Sequence, residues 1–176
     1  MFTKSLIAVS MASLCGTAFS GETSPYYIEA GFGAIQYKES GVTATPGVGT
    51  LRFGMNIDDH LSAEGVVGTT VINATGYISG TPLTVKYDSI YGIYLKAKTE
   101  VAPNLELFGR LGYVHATITA SIPSFSASSS GSDLSYGIGA QFNFTPTVYG
   151  QLDYMSYYNK NGATANGPTI GIGMKF

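Results

Sequence analysis

The chain has 176 residues, a formal net charge of −2 and one cysteine. Charged residues make up 11% of it, against about 25% in ordinary soluble domains. So weak a charge gives no electrostatic footprint for nucleic acid. Hydrophobic residues reach 44%, yet beyond residue 20 no apolar run approaches the ~18 residues of a membrane helix.

The N-terminus reads as an export leader. Lys4 supplies a positive end, Leu6 to Cys15 a short apolar core, and Ala18-Phe19-Ser20 the small residues of a cleavage site. Cleavage is expected after Ser20, with Ala18 as the alternative. This leaves a cleaved signal peptide, residues 1–20, and one domain, residues 21–176. A lipoprotein anchored through Cys15 is the rival reading, and it fits poorly because Leu14 sits where a small residue is needed. Cys15 leaves with the leader, so the mature chain is expected to form no disulfide and no thiolate metal site.

Eight segments then alternate, and a strand turns successive side chains to opposite faces. Tyr26 to Tyr37 sets Ile28, Ala30, Phe32 and Ala34 against Glu29, Gly31 and Gly33. Val48 to Ile57 sets Leu51, Phe53, Met55 and Ile57 against Thr50, Arg52, Gly54 and Asn56. His60 to Ile72 sets Leu61, Ala63, Val67 and Val71 against Ser62, Glu64, Gly68 and Thr70. Thr84 to Lys98 alternates least cleanly, with Val85, Tyr87, Tyr91, Ile93, Leu95 and Ala97 opposing Lys86, Asp88, Gly92, Tyr94 and Lys96. Leu105 to Ile118 sets Leu105, Leu107, Leu111 and Tyr113 against Glu106, Phe108, Arg110 and Gly112. Leu134 to Phe144 sets Leu134, Tyr136, Ile138, Ala140, Phe142 and Phe144 against Gly137, Gly139, Gln141 and Asn143. Thr147 to Tyr157 sets Val148, Leu152 and Tyr154 against Tyr149, Gln151, Asp153 and Met155. The last segment alternates most cleanly: Ile170, Ile172, Met174 and Phe176 oppose Thr169, Gly171, Gly173 and Lys175.

Connections alternate in length. Asp58-Asp59, Thr99 to Asn104 and Thr145-Pro146 are short. Lys38 to Gly47, Asn73 to Leu83, Thr119 to Asp133 and Tyr158 to Gly167 are long and rich in Ser, Thr, Gly and Asn. An apolar outer face, a small or polar inner face, and short turns opposite long loops describe an all-β, eight-stranded antiparallel up-and-down transmembrane β-barrel. Closure removes edges that lipid would not tolerate. A soluble sandwich or lipocalin-like barrel would need a solvated outer face, and the second face here carries too few Lys and Glu.

Leader, eight strands, short turns, long loops and terminal Phe176 together resemble the small outer-membrane barrels of Gram-negative bacteria: the OmpA membrane domain, OmpX, and the opacity-type and Ail-type surface proteins. The resemblance covers residues 21–176 and implies an integral outer-membrane protein, a monomer in contact with outer-membrane lipid and lipopolysaccharide. It implies that Ile170, Ile172, Met174 and Phe176 form the signal read by the barrel-assembly machinery. The OmpA chain continues into a peptidoglycan-binding domain and this sequence stops at Phe176, so a cell-wall tether is not carried over.

The inward positions hold an ordered set of charges. Glu29, Arg52, Glu64 and Lys96 lie at similar depth, with Glu106, Arg110, Gln151 and Asp153 a few residues away. A three-residue turn centred on Asp58 would place Arg52 directly opposite Glu64, with Glu29 on the next strand. The interior of an eight-stranded barrel is just wide enough for side chains to fill, and buried charges need partners. The set therefore reads as a paired plug, with a narrow gated channel as the alternative.

Two chemical readings compete with a passive barrel. Lipid A-deacylating barrels use a His-x-Ser pair with a nearby carboxylate, and His115-Ala116-Thr117 resembles that pair with Thr in place of Ser. Asp133 would orient the histidine if its loop folded back. The bland reading is an interfacial histidine in a Thr-rich strand end, so no enzyme activity is expected. Asp58-Asp59-His60 has metal-ligand residue types, but reads more simply as turn chemistry; no metal or cofactor is expected. Tyr26, Tyr27, Phe53, Phe142, Phe144 and Phe176 are expected at the short-turn membrane rim, and Tyr37, Tyr87, Tyr113, Tyr136, Tyr154 and Tyr157 at the long-loop rim. Asn73-Ala74-Thr75 fits a glycosylation pattern and is read as loop composition. Recognition of a host or surface ligand would fall to the long loops.

Overall fold

The computed structural model of the protein describes residues 25–39, 41–78, 81–122, 125–160 and 162–176; the expected signal peptide lies outside them. Among the described residues eleven strands are formed: β1 (Tyr26–Ala34), β2 (Gln36–Glu39), β3 (Val42–Ala44), β4 (Gly47–Asn56), β5 (Leu61–Ile72), β6 (Ala74–Ile78), β7 (Thr81–Ala102), β8 (Leu105–Ile122), β9 (Phe125–Asn143), β10 (Val148–Lys160) and β11 (Ala163–Lys175). Eight of them, in the order β1-β4-β5-β7-β8-β9-β10-β11, make the wall, and β1 pairs with β11 to close it. All neighbours run antiparallel, as expected for an up-and-down barrel. β2, β3 and β6 are short additions at the long-loop end, where β2 pairs with β11 and β3, and β6 with β7.

The apolar parity of the sequence faces outward. Leu51, Phe53, Val67, Ile93, Leu111, Ile138, Leu152, Ile170 and Ile172 are all exposed on the outside of the closed sheet. A soluble protein does not leave so large an apolar belt in water; lipid is the solvent that suits it. Small inner residues have a packing reason. Tyr27, Tyr94, Phe108 and Tyr149 point inward, and each is paired across the ladder with a glycine: Gly54, Gly112, Gly139 and Gly173. A Cβ at any of these glycines would collide with the facing ring. The barrel thus seats aromatic rings on glycines of neighbouring strands.

Three expectations are corrected. Alternation alone puts Val85 and Tyr87 of the fourth segment on the outer face. A register shift between Tyr87 and Ser89 reverses the parity, so Val85 and Tyr87 turn inward and Lys86 and Asp88 outward. A bulge adds one residue to one strand, and everything beyond it changes face. Tyr27 and Tyr157 are also inside the barrel and not on the rims, as the parity they share with Glu29 and Asp153 requires. Thr119 to Asp133 is no loop: β8 and β9 stay paired from Leu105↔Phe142 to Ile122↔Phe125. Thr117–Ser130, Thr119–Ser128 and Ser121–Ser126 hydroxyl pairs at 2.9, 2.6 and 2.9 Å cross this extension, the polar cross-strand pairing that holds a sheet in water. β7, β8 and β9 are 22, 18 and 19 residues long, against the 9–11 or so that span a bilayer. A sheet of β6, β7, β8 and β9 therefore stands beyond the membrane.

Candidate functional site

The lumen is built in tiers. Nearest the short turns, Asn143 is a hub. Its amide donates to Glu106 at 2.8 Å, while its carbonyl accepts from Lys175 at 3.0 Å and Gln141 at 3.1 Å. Lys98 donates to Asn56 at 3.0 Å. Glu106 belongs to this tier, within 3.8 Å of Lys175 and 4.0 Å of Lys98, and not to the charges above it.

The second tier brings together Glu29, Arg52, Glu64, Lys96, Arg110 and Asp153, all buried. Arg110 is its centre. Its Nε donates to Glu64 at 2.6 Å, its Nη2 to Gln151 at 3.0 Å, and its Nη1 to Asp153. Arg52 donates to Glu29 at 2.7 Å, and Gln151 donates to the same carboxylate at 2.7 Å. Lys96 donates to Gln141 at 2.9 Å and lies 4.4 Å over the Phe108 ring. Tyr27 donates to Glu64 at 2.7 Å and Tyr149 to Glu29 at 3.3 Å. Three carboxylates thus face three cations, all nearly inaccessible to solvent. Such charges persist only when paired and hydrogen-bonded.

Arg52 and Glu64 are not directly opposite, as the short-turn reading required. Arg52 is paired with Val66 and Glu64 with Gly54. The turn is wider because the Asp58 carboxylate accepts the backbone N–H of His60 at 2.7 Å and of Leu61 at 2.8 Å. The β4–β5 hairpin is thus shifted by two residues from the three-residue-turn register; Arg52 instead faces Glu29 across the β1–β4 ladder, and Glu64 is reached by Arg110 from across the lumen. Tyr27, Tyr149, Phe108, Gln141 and Asn143 were not foreseen as members of the network. Their inward parity beside Glu29, Gln151 and Arg110 was the available signal.

Above the charges the lumen turns apolar. Val48, Val66, Ile90, Tyr94, Val114 and Met155 pack together across it. Beyond them, at the long-loop end, lies a cavity of about 570 Å³ whose walls include Val85, Ile90, Val114, Ala116, Ile118 and Tyr157.

His115 lies on the other side of the wall. Its ring stacks on Tyr91 with centroids 4.9 Å apart, and Nδ1 is 2.7 Å from Ser132 Oγ. The hydroxyl beside His115 is thus Ser132 of the facing strand, while Thr117 pairs with Ser130. Asp133 does not orient the histidine. It lies across from Val114, a lumen position, and its carboxylate accepts the backbone N–H of Leu134 and of Asn159. Farther out, hydrogen bonds from Lys86 and Thr119 hold the exposed Asp88 carboxyl below its usual range.

A closed wall, a lipid-facing belt and inward-facing buried charges define an architecture, and comparison with known proteins identifies it. Residues 6–176 match the family model described as outer membrane protein beta-barrel domain. The chain belongs to that family. It is a protein of the bacterial outer membrane, crossing it with strands. The attachment invasion locus protein of Yersinia enterocolitica is 26% identical over 182 residues, covering 100% of this chain and 98% of that one. The crystal structure of Ail, the attachment invasion locus protein of Yersinia pestis, superposes with a TM-score of 0.65 at 20% identity, covering 88% of this chain and 100% of that one. It has also been solved in complex with the heparin analogue sucrose octasulfate. Neisserial surface protein A gives a TM-score of 0.68 at 14% identity, covering 89% of this chain and 100% of that one. At such identities the two structures establish the fold alone.

Proposed function

We propose that this barrel is a non-enzymatic surface-interaction protein, its lumen closed by the charge network and its recognition surface formed by the strands and loops beyond the membrane. The observation that carries the reading is the buried set of three carboxylates and three cations centred on Arg110. An ion or solute crossing this tier would have to break several charge-assisted hydrogen bonds in a low-dielectric interior. That favours a seal over a narrow porin-like channel. In planar bilayers the purified barrel should show no stepwise conductance; regular single-channel steps in the unmodified protein would overturn the reading in favour of a pore.

Charge narrows the partner. The long-loop end carries Lys38, Lys86 and Lys160 against Glu39, Asp88 and Asp133. A polyanion such as the heparin analogue seen with Ail needs a cation cluster, so a neutral host or surface ligand fits this rim better. The β7–β8–β9 sheet supports the same role, because it holds a Ser- and Thr-rich surface clear of the lipid. Exposed Tyr91, Tyr113, Tyr136 and Tyr154 suit the lipopolysaccharide-facing boundary. The outward Ile170, Ile172, Met174 and Phe176 support reading by the barrel-assembly machinery. Closure within one chain supports a monomer. A leader ending at Ser20 should leave mature protein beginning at Gly21, which N-terminal sequencing of the outer-membrane fraction would check.

A further inference from the structure

The apolar cavity above the charge network is used by none of the roles assigned so far. We infer that it is a binding site for a neutral, largely apolar small molecule carrying one hydrogen-bonding group, such as a phenol, alcohol or ketone. Its volume of about 570 Å³ lies within the roughly 300–1,000 Å³ of small-molecule pockets. The walls are mainly aliphatic and aromatic, with Ser128, Ser129 and Ser130 along one strand, and such a lining takes up apolar matter from water. The cavity is reached from the long-loop end, and its inner end abuts the packed tier of Val48, Val66 and Met155. It is a blind pocket and not a passage.

Two observations select the ligand's chemistry. Tyr87 lines the cavity, is 2% exposed, and its hydroxyl has no hydrogen-bond partner among the protein's groups. A buried polar group normally has one, so a ligand oxygen or nitrogen reaching Tyr87 Oη would complete it. Among the described residues, Glu39 is the one charged side chain of the lining. It lies at the mouth, exposed, and accepts the Tyr37 hydroxyl. No cation lines the cavity, so a carboxylate, sulfonate or phosphate headgroup would enter uncompensated beside a carboxylate. This argues against fatty acids and against the phosphorylated headgroup of lipid A.

The test uses the full barrel in lipid nanodiscs, with empty nanodiscs subtracted. Calorimetric titration compares 2-naphthol with 2-naphthalenesulfonate, which share a ring system and differ in charge. Saturable one-to-one binding of 2-naphthol is expected, with the sulfonate at least tenfold weaker. Tyr87→Phe should weaken 2-naphthol binding about tenfold, equal to about 1.4 kcal/mol, the size of one net hydrogen bond. Ala116→Trp should fill the cavity and abolish binding. Ala127→Trp, at the exposed mouth, serves the same purpose should the deeper substitution prevent folding. No saturable signal above empty nanodiscs, equal binding of the sulfonate, or unchanged affinity in Tyr87→Phe would each overturn the proposal. Conductance plays no part in this experiment, so its failure leaves the sealed-lumen reading to be judged separately.

Discussion

The two halves of the lumen share the same wall and the same strands, yet they solve opposite problems. Toward the short turns, Arg110, Glu64, Glu29, Arg52, Asp153 and Lys96 form one buried network of ion pairs, in which Arg52 Nε and Asp153 Oδ1 alone of these groups lack a hydrogen-bond partner. Toward the long loops, Val114, Ile90 and Tyr157 face a cavity. A charge in a narrow interior needs partners, so each member of the charged half is constrained by several others. An apolar wall carries no such requirement and can be left open. Stability and closure should therefore reside in the first half, and adaptability in the second.

The largest effect should come from breaking the hub. Arg110→Met leaves the Glu64 and Asp153 carboxylates buried without their main partner. Removing one member of a buried ion network costs about 3–5 kcal/mol. The urea midpoint of the heat-modifiable folded band should fall accordingly, and bilayer recordings should show new, irregular conductance. A loss under about 1 kcal/mol with silent bilayers would mean that the charges act as independent pairs and not as a seal.

The neighbouring residue tests the wall itself. Leu111 is 55% exposed and points to lipid, whereas Arg110 is 2% exposed. Leu111→Arg places a cation in the hydrocarbon, at about 2–4 kcal/mol near the midplane. It should reduce folding yield and urea resistance without adding conductance, since the lumen is untouched. Normal folding of Leu111→Arg together with new conductance in it would reverse the facing of β8.

The apolar half should be more forgiving. Ile90→Val removes one methylene beside an existing cavity, and such changes cost about 0.5–1.5 kcal/mol. The bilayer should stay silent, because the seal lies below. A conductance rise in Ile90→Val would place the barrier in the apolar half and undo the division drawn here.

What could be read from the chain follows the same divide. Lipid selects an unbroken apolar parity, so the outer faces of β4, β9, β10 and β11 were legible from residues such as Leu51, Ile138, Leu152 and Ile170. A bulge leaves no mark except a weakened alternation, and Thr84 to Lys98 showed that weakness without revealing where the parity flips. The Thr119 to Asp133 stretch reads as a loop because Ser, Thr and Gly dominate it; the short alternation of Ala120, Ile122, Phe125 and Ala127, which line the cavity, is interrupted at Pro123-Ser124 and lost in Ser128-Ser129-Ser130. The charges themselves were legible as inward residues. Their partners were not, because pairing across a lumen depends on turn width, and the Asp58 carboxylate widened the turn that sets the Arg52 register. The cavity had no sequence signal at all, since it is defined by what neighbouring strands fail to fill.

The smallest effect is expected on the outer side of the wall. His115 touches Ser132 and stacks on Tyr91, which brings a base and a hydroxyl together facing the lipid boundary. Nucleophilic catalysis also needs a group that orients the base, and Asp133 is engaged with backbone N–H groups on the lumen side of the strand. A histidine whose ring is held by stacking and one hydroxyl is a boundary residue. His115→Ala should therefore change stability by less than about 1 kcal/mol and leave the acyl-chain number of cellular lipid A unchanged by mass spectrometry. The Ser132→Ala variant should behave the same way. An expression-dependent loss of an acyl chain that both substitutions abolish would assign this pair a hydrolytic role, and it would move the functional centre of the barrel from its lumen and rim to its lipid face.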